Sequence, residues 1–270
     1  MSPIFLKIGS FVIYWYGVMA ALGILIAGSI FQRLAGRAGL SQKVASEILV
    51  WLVVSGLAGA RTVHVMTHFW YYYRHPLEIL ALRNGGLAIQ GGIIGATIFL
   101  SLYALARRLP FFKIVDLVST AAPLGQAIGR LGCFLHGCCY GKETDSFAGV
   151  HFPAVEGRIH PTQLYYFAAD MAVFCCLWWL LRQRLREGTV FCLYLMAMGL
   201  IRYNLDFLRG DLVSTSLGLY PTQWFGIILF LTGATLLLRL MSRPGEMPEP
   251  AEQVCSSPPD EQKKEVSDHG

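Results

Sequence analysis

"FVIYWYGVMAALGILIAGSIFQ", residues 11–32, contains no charged side chain. Wound as an α-helix rising 1.5 Å per residue, such a run reaches about 33 Å, enough to cross a hydrocarbon core roughly 30 Å thick. Six further runs of similar character follow, at about 44–66, 86–107, 114–135, 163–181, 189–208 and 220–241. Hydrophobic residues make up 54% of the chain against 14% charged, and mean hydropathy is +0.50, well outside the range of soluble domains. The runs are continuously apolar rather than alternating, which selects helices over barrel strands. The sequence therefore predicts an all-α, polytopic membrane protein of seven transmembrane helices.

Orientation follows from the basic residues, because short basic loops stay on the cytoplasmic side. Arg33, Arg37 and Lys43 follow the first run; Arg107, Arg108 and Lys113 follow the third; Arg182, Arg184 and Arg186 follow the fifth. The expected topology has the N-terminus outside and the C-terminus inside. Only Lys7 precedes the first run, which is too long and too aromatic for the core of a cleaved signal peptide, so it is expected to be retained. Beyond about residue 241 the composition turns acidic and Pro-rich, and residues 242–270 are expected to form a disordered cytoplasmic tail. That tail carries −4, leaving +9 on residues 1–241, the expected catalytic body. A basic body in a bilayer suits anionic lipid at the inner surface; no nucleic-acid partner is expected.

Of the seven cysteines, Cys175, Cys176 and Cys192 lie within spans and read as small apolar packing residues, and Cys255 falls in the tail. Cys133, His136, Cys138 and Cys139 cluster in "GRLGCFLHGCCYG", residues 129–141. Their C-x2-H-x-C-C spacing matches no standard zinc or haem motif. A metal site, a disulfide in an oxidising exterior and a tight turn closing the span all remain open, although no metal or cofactor is expected.

The arginines carry more information. Gln126, Arg130 and Cys133 are spaced i, i+4, i+7 and share one helix face, with Gly129 and Gly132 allowing close approach of a neighbour. Arg202, Asp206 and Arg209 repeat the spacing in the sixth run, where Arg202 and Asp206 are placed to pair. An arginine deep in a span costs roughly 2.5–3.5 kcal/mol on the insertion scale, so these need partners or a water-filled cavity. A guanidinium fork binds phosphate bidentately, which makes an anion site the sharper reading. Arg61 ends "SGLAGAR" either in that cavity or at the interface, and Tyr16 in "IYWYG" either joins an interfacial aromatic belt or offers its hydroxyl to a headgroup. "NGGLAIQGG", residues 84–92, reads as an unwound or re-entrant element containing Gln90, and "HPTQLYY", residues 160–166, as a helix start or a binding element.

In their order along the chain these motifs resemble the bacterial prolipoprotein diacylglyceryl transferase family, with its WYG, GGR-like turn, HGG stretch, GR-x-G signature, HP-S/T-QLYE and late R-x3-E-F-x-R. The corresponding residues are Trp15-Tyr16-Gly17, Gly59-Ala60-Arg61, Gln90-Gly91-Gly92, Gly129-Arg130-Leu131-Gly132-Cys133-Phe134, His160-Pro161-Thr162-Gln163-Leu164-Tyr165, and Arg202 followed by Asp206-Phe207-Leu208-Arg209. The resemblance covers about residues 8–240. It implies a multi-pass enzyme of the bacterial cytoplasmic (inner) membrane that transfers the diacylglyceryl group of phosphatidylglycerol to the lipobox cysteine of a secreted precursor. A thioether forms and glycerol phosphate leaves, the first step of lipoprotein maturation. Arg130 and Arg202 are the expected catalytic cations, with Gln90 and Asp206 at the other positions the resemblance marks as catalytic. Tyr16, Arg61, Gly91, Gly92, Gln126, Gly129, Gly132, His160, Gln163 and Arg209 are the expected substrate contacts.

The departures bear on chemistry. The histidine of HGG is Gln90, and an amide cannot accept the proton of a thiol. The acid after QLY is Tyr166, the tyrosine four residues before the late arginine is Met198, and Asp206 is one methylene shorter than the expected glutamate. His136, His160, Asp206 or the leaving phosphate are the candidate proton acceptors. A paralogue that binds or transports phospholipid without chemistry, and a redox or metal-binding membrane protein, are the competing functional classes.

Overall fold

A computed structural model describes residues 3–9, 11–81, 85–152, 157–183, 185–212 and 218–242. A hairpin of β1 (Ile4–Ile8) and β2 (Phe11–Tyr14) opens the chain and runs directly into α1 (Trp15–Arg37). Then come α2 (Gln42–Thr67), the short α3 (Phe69–Arg74), a 3-10 turn at Pro76–Leu80, α4 (Ile89–Arg107) and α5 (Phe111–His136). The rest is α6 (Thr162–Leu180), α7 (Thr189–Leu205) with a 3-10 turn at Asp206–Leu208, and α8 (Pro221–Ser242). Among the described residues, seven helices are long and apolar enough to cross a membrane, and each corresponds to one predicted run.

The first span differs most from its predicted bounds: α1 starts at Trp15 instead of 11 and runs on to Arg37 instead of 32. Residues 11–14, read as the beginning of the first span, pair instead with Ile4–Ile8. Four β-branched or aromatic residues in a row, Phe11 to Tyr14, satisfy a strand as readily as a helix, and the turn at Gly9 takes a positive φ of 58° that glycine adopts without strain. The predicted tail from 242 onward lies outside the described residues except for Ser242.

Large outward-facing side chains such as Leu25, Val50, Ile98 and Leu238 sit on the outer surface of the bundle, where they meet hydrocarbon rather than water. Because lipid tails are as apolar as leucine, the helices are held by close packing instead of by the hydrophobic effect. In α2 and α4, a β-carbon on Gly59 would collide with the Gly91 carbonyl oxygen, one on Gly91 with that of Gly59, and one on Gly95 with that of Ser55. Gly199 of α7 and Gly226 of α8 make the same kind of backbone contact. Gly91, expected at the substrate, packs against the backbone of Gly59, and Gly92, expected there too, faces Gly56 and Ala60 of α2 at ordinary contact distance.

α5 is the central helix and is half buried along its span. Near its start, Asp116 accepts hydrogen bonds from the backbone N–H groups of Gly188 (2.6 Å) and Phe191 (2.7 Å). This carboxylate satisfies the otherwise orphaned donors at the N-terminus of α7, where the helix dipole also favours negative charge. An Asp116→Ala substitution is expected to destabilise the protein by about 1–3 kcal/mol, read as a lower thermal midpoint in detergent, whereas Asp116→Asn, which keeps an acceptor, loses less. Gly95→Leu is expected to cost about 1–3 kcal/mol through overpacking, read in the same measurement.

Candidate functional site

A cavity of about 710 Å³ runs through the bundle between α1, α2, α4, α5, α6, α7 and α8. Part of its wall is apolar, contributed by Ile93, Leu100, Val115, Val118, Phe191 and Leu195 among others. Polar groups line another part: Tyr16, Gln126, Arg130, Tyr166, Asp170, Tyr194 and Arg202, with Cys133, Cys138 and Cys139.

Arg130 projects from α5 one turn after Gln126, and its guanidinium carbon lies 4.1 Å from the centre of the Tyr166 ring. A desolvated cation on an aromatic face is worth about 2 kcal/mol. The Tyr166 hydroxyl donates to Asp206 Oδ1 at 2.5 Å. Asp206, fully buried, also faces Arg209 at 3.7 Å, and Arg209 forms a two-pronged pair with Asp211 at 2.7 and 2.9 Å. Arg202 enters from α7, its guanidinium carbon 5.9 Å from the ring centre of Phe225. Tyr166 and Asp170 each lie within electrostatic range of both Arg130 and Arg202, so the two cations share one pocket. Among the described residues neither guanidinium forms an ion pair or a hydrogen bond with a protein group.

Five expected site residues meet in the cavity wall: Arg130, Arg202, Tyr16, Gln126 and Gly129. Gln126 donates to the Tyr194 hydroxyl at 2.9 Å. The other expected positions lie outside that wall. The pairing of Arg202 with Asp206 does not form, because α7 ends at Leu205 and the 3-10 turn carries Asp206 out of helical register toward Tyr166. Gln90 is exposed in the first turn of α4. Gly132 packs against Met19 of α1.

Arg61 is buried as a structural residue. Its guanidinium donates to the carbonyls of Glu78 (2.5 Å), Ile79 (2.8 Å), Gly85 (2.7 Å) and Gly86 (2.9 Å), over the ring of Tyr72. Gly85 and Gly86, at φ of 79° and 76°, turn their carbonyls toward it in a conformation that favours glycine. Residues 85–88 are non-helical, as expected for this glycine-rich stretch, and the helix begins only at Ile89.

His160, Gln163 and Arg209 belong to a knot of loops beside the cavity. Gly141 N–H donates to His160 O (2.9 Å), Lys142 N–H to Leu208 O (2.8 Å) and Gly210 N–H to Tyr140 O (3.2 Å). Gln163 and Thr162, both fully buried at the start of α6, donate to the carbonyls of Cys138 (2.7 Å) and Cys139 (2.6 Å). The result is a fixed turn after α5. Gly137 caps the helix in the left-handed region, and Cys139 follows at φ 60°. All six described cysteines are free thiols. Cys175 and Cys176 lie exposed on α6 instead of packing inside, while Cys192 is buried. The Cys139 thiol is held well below its ordinary value by hydrogen bonds from Cys133 and Cys138 and by the nearby Arg209 and Arg130. The same sharing pushes Cys138 up.

Three cavity residues escaped the sequence reading. Tyr166 registers there only as a missing acid. Asp170, 3% exposed, is one helical turn beyond it, and a carboxylate inside an apolar run is itself a functional signal. Tyr194 stands one turn before Met198, so a phenol reaches the cavity from a displaced position on α7.

Fold and cavity define a multi-pass membrane protein with two cations, neither directly ion-paired among the described residues, facing a largely apolar interior. The chain matches the family described as Prolipoprotein diacylglyceryl transferase over residues 3–239. It is 35% identical over 274 residues to the phosphatidylglycerol–prolipoprotein diacylglyceryl transferase of Trichormus variabilis, covering 96% of this chain and 95% of that protein. It is 33% identical to the protein of that name from Methylobacillus flagellatus (90% and 97% covered) and 32% identical to that from Clostridium tetani (86% and 95%). The chain belongs to the prolipoprotein diacylglyceryl transferase family.

Arg61→Ala is expected to lower the thermal midpoint through a loss of at least about 2–3 kcal/mol, since charged hydrogen bonds contribute that much each. Folded protein that remains is expected to keep its KM for lipid.

Proposed function

We propose that this protein transfers the diacylglyceryl group of phosphatidylglycerol to the lipobox cysteine of prolipoproteins in the bacterial cytoplasmic membrane. The observation that carries this reading is the pair of guanidiniums, Arg130 and Arg202, sharing an apolar cavity without a protein anion bonded to either. A phosphodiester supplies the missing charge, and the apolar wall accepts the acyl chains.

In the reaction the substrate thiol sulfur forms a bond to the glyceryl carbon, the bond from that carbon to the phosphate oxygen breaks, and glycerol phosphate departs with the electron pair. Charge grows on the phosphate as that bond lengthens. Fixed cations aimed at it lower the barrier more than they stabilise the bound lipid. Tyr16, Gln126 and Tyr194 offer hydrogen bonds to the glycerol headgroup.

The proton of the thiol needs an acceptor, and Gln90 is not one. Asp206, which gives its Oδ1 to Tyr166 and Arg209, and His160, whose ring meets the Tyr165 hydroxyl, lie outside the cavity wall, as does His136. Asp170 is the carboxylate in the cavity wall and takes that role in this reading. The basic loops lie at the end of the helices opposite the cysteine turn, which supports an outward-facing turn where secreted precursors arrive.

Complementation of a transferase-depleted bacterium, and transfer of labelled diacylglycerol to a lipobox peptide by the purified chain, test the assignment. Wild type is expected to rescue and to label. Arg130→Ala and Arg202→Ala are each expected to lose about 10²–10³ in rate, with Arg130→Lys intermediate because an ammonium lacks the planar fork. Asp170→Asn is expected to lower kcat with little change in KM and to remove the acidic limb of the pH–rate profile. Lipid binding without transfer by folded wild type would identify a binding protein instead.

A further inference from the structure

The turn after α5 brings three sulfur atoms together. The Sγ atoms of Cys133, Cys138 and Cys139 all lie within 4.8 Å of one another, and all three residues line the cavity. A disulfide uses two sulfurs; this turn aims three. The aim is enforced by Cys139 at φ 60°, a left-handed conformation uncommon for a non-glycine residue and costing of order 1–3 kcal/mol. It is enforced again by the fully buried Thr162 and Gln163, which clamp the carbonyls of Cys139 and Cys138.

Four ligands at the zinc–thiolate distance of about 2.3 Å in a tetrahedron put their sulfurs about 3.8 Å apart. No pair here therefore needs to close by more than about 1 Å. Arg130 and Arg209 stand near Cys139 and offset the negative charge that three thiolates and one cation leave behind.

We propose that Cys133, Cys138 and Cys139 form a site for a thiophilic d10 cation, zinc(II) or copper(I), whose further ligand comes from the cavity that the three residues line. Soft thiolate donors select these ions over calcium or magnesium. Binding forms three metal–sulfur bonds and releases the thiol protons to solvent. Three protein ligands and one position open to a cavity is the stoichiometry of reactive zinc sites, in contrast to closed structural ones. A sulfur ligand arriving there would be held as a thiolate.

The test uses the full chain, reduced and purified in detergent, loaded separately with zinc(II) and with copper(I), then desalted and assayed for metal. Stoichiometric retention of either ion is expected, falling at least tenfold in Cys138→Ser/Cys139→Ser and unchanged in Cys175→Ser/Cys176→Ser. Bound metal is also expected to shield Cys138 and Cys139 of the wild type from alkylation, mapped by mass spectrometry; this reading needs no variant to fold. Retention of neither ion by fully reduced wild type, equal retention by the first double variant, or undiminished alkylation would overturn the proposal. Metal retention is measured without lipid transfer, so its failure leaves the transferase assignment standing.

Discussion

A guanidinium removed from water must find compensation, and in this protein two of them do so in the same apolar cavity. On the insertion scale each costs roughly 2.5–3.5 kcal/mol at mid-membrane. The fold offsets part of that through a relay. Arg130 lies on the face of Tyr166, the Tyr166 hydroxyl donates to Asp206, Asp206 faces Arg209, and Arg209 is closed by Asp211. The relay stops short of neutralising Arg130. It holds the ring that orients the cation and leaves the N–H donors for a ligand, which is the arrangement electrostatic preorganisation requires.

The relay also explains where reading along the chain succeeds. Gln126, Arg130 and Cys133 reach the cavity together because α5 is a continuous helix through all three, so spacing alone sets their common face. The same logic applied to Arg202, Asp206 and Arg209 fails because the helix stops between the first two. Hydropathy located all seven spans, since the hydrocarbon thickness is a length constraint visible in one dimension. It missed the N-terminal hairpin because a strand pair needs only a few residues and leaves no such signature.

Residue type is legible in sequence; the fate of a side chain's hydrogen bonds is not. Arg61 carries the same chemistry as Arg130, yet its donors are consumed by four carbonyls brought from a loop some twenty residues away. Gln163 and His160 sit in a motif that reads as binding; the Gln163 amide donates to the Cys138 carbonyl, and the His160 ring meets the Tyr165 hydroxyl. Asp170 and Tyr194 show the reverse case. Each is one polar group in an apolar run, and its meaning depends on which helix lies opposite, a fact of packing that no periodicity in α6 or α7 encodes.

The carboxylate of Asp116 has a consequence for how the chain is made. Its two backbone partners lie 72 and 75 residues further on. The ribosome delivers α5 first, then all of α6, before either partner exists. Throughout that interval the acid near the foot of the central helix has neither of these backbone donors, and the join between α5 and α7 is not yet made. Arrival of Gly188 and Phe191 closes the join, so a contact at the start of α5 waits on the last third of synthesis.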